Sequence, residues 1–129
     1  MKSLIIGLGI ALALATLCVH EDVNAESYQW LAYLTLVSGS PRNCGLLPYS
    51  NFRVRVEGNR LDADPVEGES QFVRKVHVNL SSLKPDGSGR VTRVTKVGVT
   101  WYWDFEAGSG PRKILTRRAD SECGILWSP

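Results

Sequence analysis

Residues 91–105 read VTRVTKVGVTWYWDF, and in them Val97, Val99, Trp101, Trp103 and Phe105 alternate strictly with Gly98, Thr100, Tyr102 and Asp104. A period of two puts one set on each face of a β-strand, whereas a helix repeats near 3.6 residues and would mix them. The stretch is also rich in β-branched and aromatic side chains, which suit a half-buried pleated surface. Fifteen residues exceed an ordinary strand, so a break or bulge is expected near Lys96 to Gly98.

The same period recurs to either side. Phe52, Val54 and Val56 alternate with Arg53, Arg55 and Glu57, and Gly58-Asn59 is a two-residue turn that returns the chain through Arg60-Leu61. In the run from Phe72 to Leu80, the apolar Val76, Val78 and Leu80 oppose Lys75, His77 and Asn79. Trp30 to Val37 is apolar on both parities, as expected of a central strand. Arg112 to Arg118 and Cys123 to Trp127 read as two short final strands. The polar segment 62–71 and the Pro- and Gly-rich stretches 84–89 and 107–111 read as connections. No stretch after the leader keeps the apolar spacing of a helix. The expected fold is all-β, a small antiparallel sandwich or barrel of six to seven strands.

Upstream of this domain the chain opens with Met1-Lys2, an uncharged apolar run from Leu4 to Val19, and Val23-Asn24-Ala25 before Glu26. That order reads as a secretory signal peptide over 1–25, cut after Ala25, with a single β domain over 26–129. The apolar run is shorter than the roughly 20 residues that a spanning helix needs, so no stable membrane anchor is expected after cleavage. The expected location is secreted or periplasmic.

Removal of the leader takes Cys18 with it and leaves Cys44 and Cys123, which in an oxidising compartment are expected to form one disulfide. A bridge closing a loop of about 80 residues restrains the unfolded chain by roughly 4.5 kcal/mol on the chain-entropy model. The mature domain keeps 14 basic and 11 acidic residues, a net charge of +3. So small a basic excess gives no reason to expect nucleic acid as the partner.

The chemistry-bearing residues are sparse. His77 is the sole histidine left after the leader and lies on the polar parity of its run beside Lys75, a poor setting for a neutral base. No nucleophile elbow, zinc-protease motif, phosphate loop or calcium loop occurs, and neither a catalytic residue nor a cofactor is expected. The acidic stretch holding Glu57, Asp62, Asp64, Glu67 and Glu69 offers weak cation candidates in the last four, without the spacing of a calcium loop, and a solvated loop is the simpler reading. Arg112, Lys113, Arg117 and Arg118 form a basic run that suits the wet side of an edge strand.

The aromatic set is the stronger lead. If Trp101 and Trp103 face inward, Tyr102 faces out, where Arg53, Arg55, Lys75 or Arg93 on adjoining strands would stand beside it. A ring next to Arg or Lys suits recognition of a glycan or an acidic protein surface. The function expected is therefore an exported, non-enzymatic β domain that binds a protein or an envelope or extracellular polymer. Two rivals follow from the same residues. One is a small glycan hydrolase, with one carboxylate from the 57–69 loop and a second from Asp104 or Glu106. The other is a structural envelope component.

Overall fold

The computed structural model describes residues 27–45, 50–70 and 73–129, so the leader, Cys18 and the cut after Ala25 lie outside the described residues. Eight antiparallel strands form one sheet in the order β4-β3-β2-β1-β8-β7-β6-β5, where β1 is Ser27–Gly39, β2 Asn51–Glu57, β3 Arg60–Pro65, β4 Val76–Asn79, β5 Gly89–Val94, β6 Thr100–Phe105, β7 Ile114–Arg118 and β8 Cys123–Ser128. Each half of the chain is a meander, and the first and last strands pair in the middle of the sheet. The sheet curls into a nearly closed barrel whose seam falls between β4 and β5. Across that seam Arg93 Nε donates to the His77 carbonyl at 3.1 Å and Ser82 Oγ to the Arg90 carbonyl at 3.5 Å.

The alternation decides which side chains fill the barrel. Phe52, Val54 and Val56 of β2 are buried and Arg53, Arg55 and Glu57 exposed, and β3 continues this with Leu61, Ala63 and Pro65 inside. Gly58 turns the β2–β3 hairpin at φ +60°, a conformation that costs glycine nothing. Trp127 is 1% exposed and packs with ring centroids 5.0 Å from both Phe52 and Trp103. Its indole N–H donates to Thr116 Oγ1 at 3.0 Å, and that hydroxyl donates to the Ile125 carbonyl at 3.3 Å, so the buried polar groups of this layer are paired.

Curvature comes from a register shift in β1 between Leu36 and Ser38, opposite Ile125 and Gly124. Beyond it Gly39, at φ +82°, lies so close to β8 that a Cβ there would strike the Glu122 carbonyl oxygen. The chain then enters a single turn of helix, α1 (Pro41–Cys44). Cys44 and Cys123, both buried and 79 residues apart, form the disulfide with Cα atoms 5.5 Å from each other. A buried bridge of this kind suits an oxidising compartment.

Three expectations need correction. The break expected near Lys96 to Gly98 is there, but it is a full reversal rather than a bulge: the run 91–105 forms two strands, β5 and β6, joined by a tight turn in which Gly98 N–H bonds to the Thr95 carbonyl and Thr95 N–H to that of Val99. Val97 therefore stands at the hairpin tip, 85% exposed, rather than inward with Trp103. This splitting raises the strand count from the expected six or seven to eight. Second, the polar segment does not begin at residue 62, because Asp62 and Asp64 are the outward positions of β3. Third, within the run from Phe72 to Leu80 only Val76–Asn79 is strand, and Phe72 itself lies outside the described residues.

Candidate functional site

The two ends of the barrel differ. At the end formed by the β2–β3 turn, the 80–88 connection and the 106–113 connection, Arg112 reaches across and donates to four oxygens: the Glu106 carbonyl at 3.0 Å, the Tyr28 hydroxyl at 3.0 Å, the Gly110 carbonyl at 3.1 Å and the Gly87 carbonyl at 3.2 Å. Its guanidinium also lies 5.3 Å from the centre of the Phe105 ring. The side chain ties three chain segments together and, with Tyr28 and Lys84, lines a smaller cavity of about 400 Å³ at this end.

The opposite end carries the disulfide, and there the barrel opens into a cavity of about 790 Å³. Its lower walls are Trp103, Trp127 and Thr116, and half-buried Trp101 stands above them. Six basic residues line it: Arg42 from α1, Arg74, Lys75 ahead of β4, Arg93 from β5, Lys96 from the β5–β6 hairpin and Arg118 from β7. Glu69 is the one acidic residue among the described lining residues. Residues 46–49 and 71–72 carry no charge in the sequence, so the flanking segments do not alter this balance.

The carboxylates nearby are already engaged. Glu69 accepts from the Lys75 backbone N–H at 2.9 Å and from Arg74 Nε at 3.3 Å, and these bonds hold its carboxyl below the usual range. Asp120 pairs with Arg118 at 2.6 Å, which likewise lowers the Asp120 carboxyl, and Arg118 also donates to the Asn43 carbonyl at 3.0 Å. Among the described residues Arg42, Lys75, Arg93 and Lys96 make no ion pair within 4.0 Å. Arg93 is the innermost by register, sharing the inward parity of Val91 and lying directly opposite Trp101. Burial pulls its guanidinium below its ordinary value, since nothing but the His77 carbonyl offsets the loss of water. An arginine stays charged even so, and the cavity is left with positive charge in want of an anion.

The residues singled out from sequence are dispersed by the fold. Tyr102 does face outward on β6, with a guanidinium 4.6 Å above its ring, but that guanidinium is Arg90. Arg53 and Arg55 stand on the outer face of β2, from which β1, β8 and β7 separate β6. Lys75 and Arg93 come together at the cavity, and Arg93 lies on the opposite face of the sheet from Tyr102. Arg42, Arg74, Lys96 and Arg118 were not grouped with them, because they come from separate loops and strand ends that only the barrel brings to one place.

The acidic residues are also spread. Asp62 on the outside of β3 meets Arg60 at 2.9 Å, His77 at 3.3 Å and Arg55 at 4.0 Å. Partial burial pushes its carboxyl up, but Arg60 and His77 outweigh that and hold it below the usual value. Asp64 stands opposite Arg53 in the β2–β3 register, and Glu67 is exposed beyond the end of β3. Among the described residues no group of three or more His, Cys, Asp or Glu is placed to hold a metal ion. Asp104 is held on the outer face by Arg90 at 2.7 and 3.1 Å, and Glu106 accepts from the Lys113 N–H at 3.1 Å. The basic run divides too: Arg112 cross-links the connections at one end, Arg117 is exposed on β7, and Arg118 lines the larger cavity at the other end. No protein-family model, no curated protein and no solved structure matches this chain.

Proposed function

We propose that the protein is an exported, non-catalytic binding domain that holds an acidic ligand, a segment of a protein or of an envelope or extracellular polymer, in the open end of its barrel. The observation that carries this reading is the excess of charge at the cavity: six basic residues, four of them without an ion pair, against one engaged carboxylate. Arg93 is half-buried and Arg42, Lys75 and Lys96 are exposed around it, so one partly desolvated charge inside a rim of like charges is fitted to an incoming anion. An eight-stranded barrel is wide enough to admit one small ligand, and here the lower layers are filled by side chains while the upper end is not.

Glycoside cleavage takes two carboxyl groups facing each other across a cleft. Among the described residues Glu69 is the one acid lining the cavity, and that group is bonded to Arg74 and Lys75, which supports binding over hydrolysis. The leader-like residues 1–25 and the buried disulfide support export to the periplasm or beyond the cell.

Native mass spectrometry of the protein recovered from its own compartment tests the reading. The expected spectrum shows residues 26–129 with the bridge closed and an acidic species that is lost in an Arg93→Gln, Lys75→Gln, Lys96→Gln variant. The double variant Tyr102→Ala, Arg55→Ala, on the outer face, keeps that species. A bare mass, together with no retention of any acidic probe, would overturn the proposal.

A further inference from the structure

Arg93 and Trp101 are direct cross-strand partners on the inward face of the β5–β6 hairpin, and both line the open cavity. Direct partners in a ladder have Cβ atoms about 5 Å apart, close enough for one ligand ring to lie on the indole while its charged substituent meets the guanidinium. Arg42, Lys75 and Lys96 stand around the same opening on three different segments. One cation is thus set inside and three around it.

Three ligand chemistries meet that arrangement differently. A fatty acid or other single-headed amphiphile carries one charge, which would meet Arg93 and leave Arg42, Lys75 and Lys96 around the opening unmatched. A single-stranded nucleic acid usually draws its affinity from several rings stacking on successive bases. Here Trp101 alone among the tryptophans lining the cavity is half-exposed, since Trp103 and Trp127 are buried. A chain of sugar rings bearing carboxylates fits better. Its ring faces suit an indole, its carboxylates match the fork of an arginine, and its repeated charges reach cations that are set apart.

Resting on the binding reading above, we infer that the open end is a site for an acidic, carboxylate-bearing oligosaccharide. One uronate ring stacks on Trp101 with its carboxylate on Arg93, and the carboxylates of neighbouring rings lie against Lys75, Lys96 and Arg42. The charge of the ligand, not its hydroxyl pattern, supplies most of the affinity, so binding weakens steeply with salt.

The test is a fluorescence and calorimetric titration of the disulfide-bonded protein with tetragalacturonate, using maltotetraose, tetraglutamate and a thymidine tetranucleotide as comparators. Tetragalacturonate is expected to bind once per protein, to change the tryptophan emission, and to bind at least about tenfold more tightly than maltotetraose. Arg93→Gln is expected to weaken it by about tenfold or more, and Lys75→Gln with Lys96→Gln by several-fold, with far-ultraviolet circular dichroism unchanged. The exposed lysine pair keeps the test informative should the Arg93 variant fold poorly. Tetraglutamate or the tetranucleotide binding more tightly than tetragalacturonate, in an Arg93-dependent way, overturns the saccharide assignment and leaves the acidic-ligand reading standing. Equal affinity for maltotetraose, or indifference to both sets of variants, also overturns the assignment. Failure of every anionic probe overturns both.

Discussion

Arg112 and Arg93 are both half-buried arginines near an end of the same barrel, yet Arg112 donates to four oxygens and Arg93 to one. Around Arg112 the chain supplies its own oxygens, and the guanidinium cross-links the 80–88 connection, the 106–113 connection and β1. Around Arg93 the neighbours are other cations and an indole. One arginine is consumed by the fold, and the other is held at some cost in solvation without a matching acceptor. The difference teaches where to look for function: a charge whose donors are all used internally is structural, whereas a half-buried charge with a single partner is a place left for something else.

Experiments can break or sharpen this contrast. The largest effect is expected at the open end, where the disulfide anchors α1 to β8 against the mutual repulsion of the unpaired cations. Cys44→Ser with Cys123→Ser is expected to lower stability by about 4 kcal/mol, read from urea midpoints, with the loss greatest at low salt. Arg112→Met comes next. Removing the donor to four oxygens is expected to cost about 2 to 3 kcal/mol while leaving ligand capture at the other end intact.

A smaller effect belongs to Asp62, at neither end. Its carboxyl is lowered in the folded protein, so the ionised form is favoured by folding. That stabilisation is complete above the ordinary carboxylate range and is lost as pH falls through the folded value. Melting curves of Asp62→Asn should therefore lie below those of the parent at neutral pH and merge with them in acid. The smallest effect is expected for Arg93→Gln. Stability should change by no more than about 0.5 kcal/mol, because one hydrogen bond is exchanged for relief of a buried charge. A loss as large as that of Arg112→Met would erase the contrast between the two ends.

Much of the fold was legible because period-two patterning is a direct record of two unlike faces. The β2–β3 hairpin, its turn at Gly58-Asn59 and the pairing of Cys44 with Cys123 all follow from local signals or from a count. The interruption near Lys96 to Gly98 was legible from the length of the run, but its nature as a reversal was not, since Thr95-Lys96-Val97-Gly98 keeps the apolar alternation in step across the turn and Gly98 is the main hint of a corner. Asp62 and Asp64 hid the length of β3 because they are charges in outward strand positions that look like a loop when read in isolation. For the site, the sequence supplied Lys75 and Arg93 as cations near an aromatic strand but assigned them to the face of Tyr102. The parity that Arg93 shares with Val91 pointed inward and was the signal available. That Arg42, Arg74, Lys96 and Arg118 meet them depends on barrel closure, which no local pattern encodes.

The pairing of β1 with β8 has a consequence in time. Gly39 lies opposite Cys123 and Tyr33 opposite Ser128, so the strand at the middle of the sheet finds its second neighbour across nearly the whole length of the domain, and β8 must be available before that pairing can close. Until then β1 carries an unpaired edge, with Leu31, Tyr33 and Val37 on one side and Ala32 and Leu34 on the other. A fold that relies on so distant a contact is expected to form slowly, and the chain is vulnerable to association with its own copies in the interval. The two halves of the molecule are joined through this ladder.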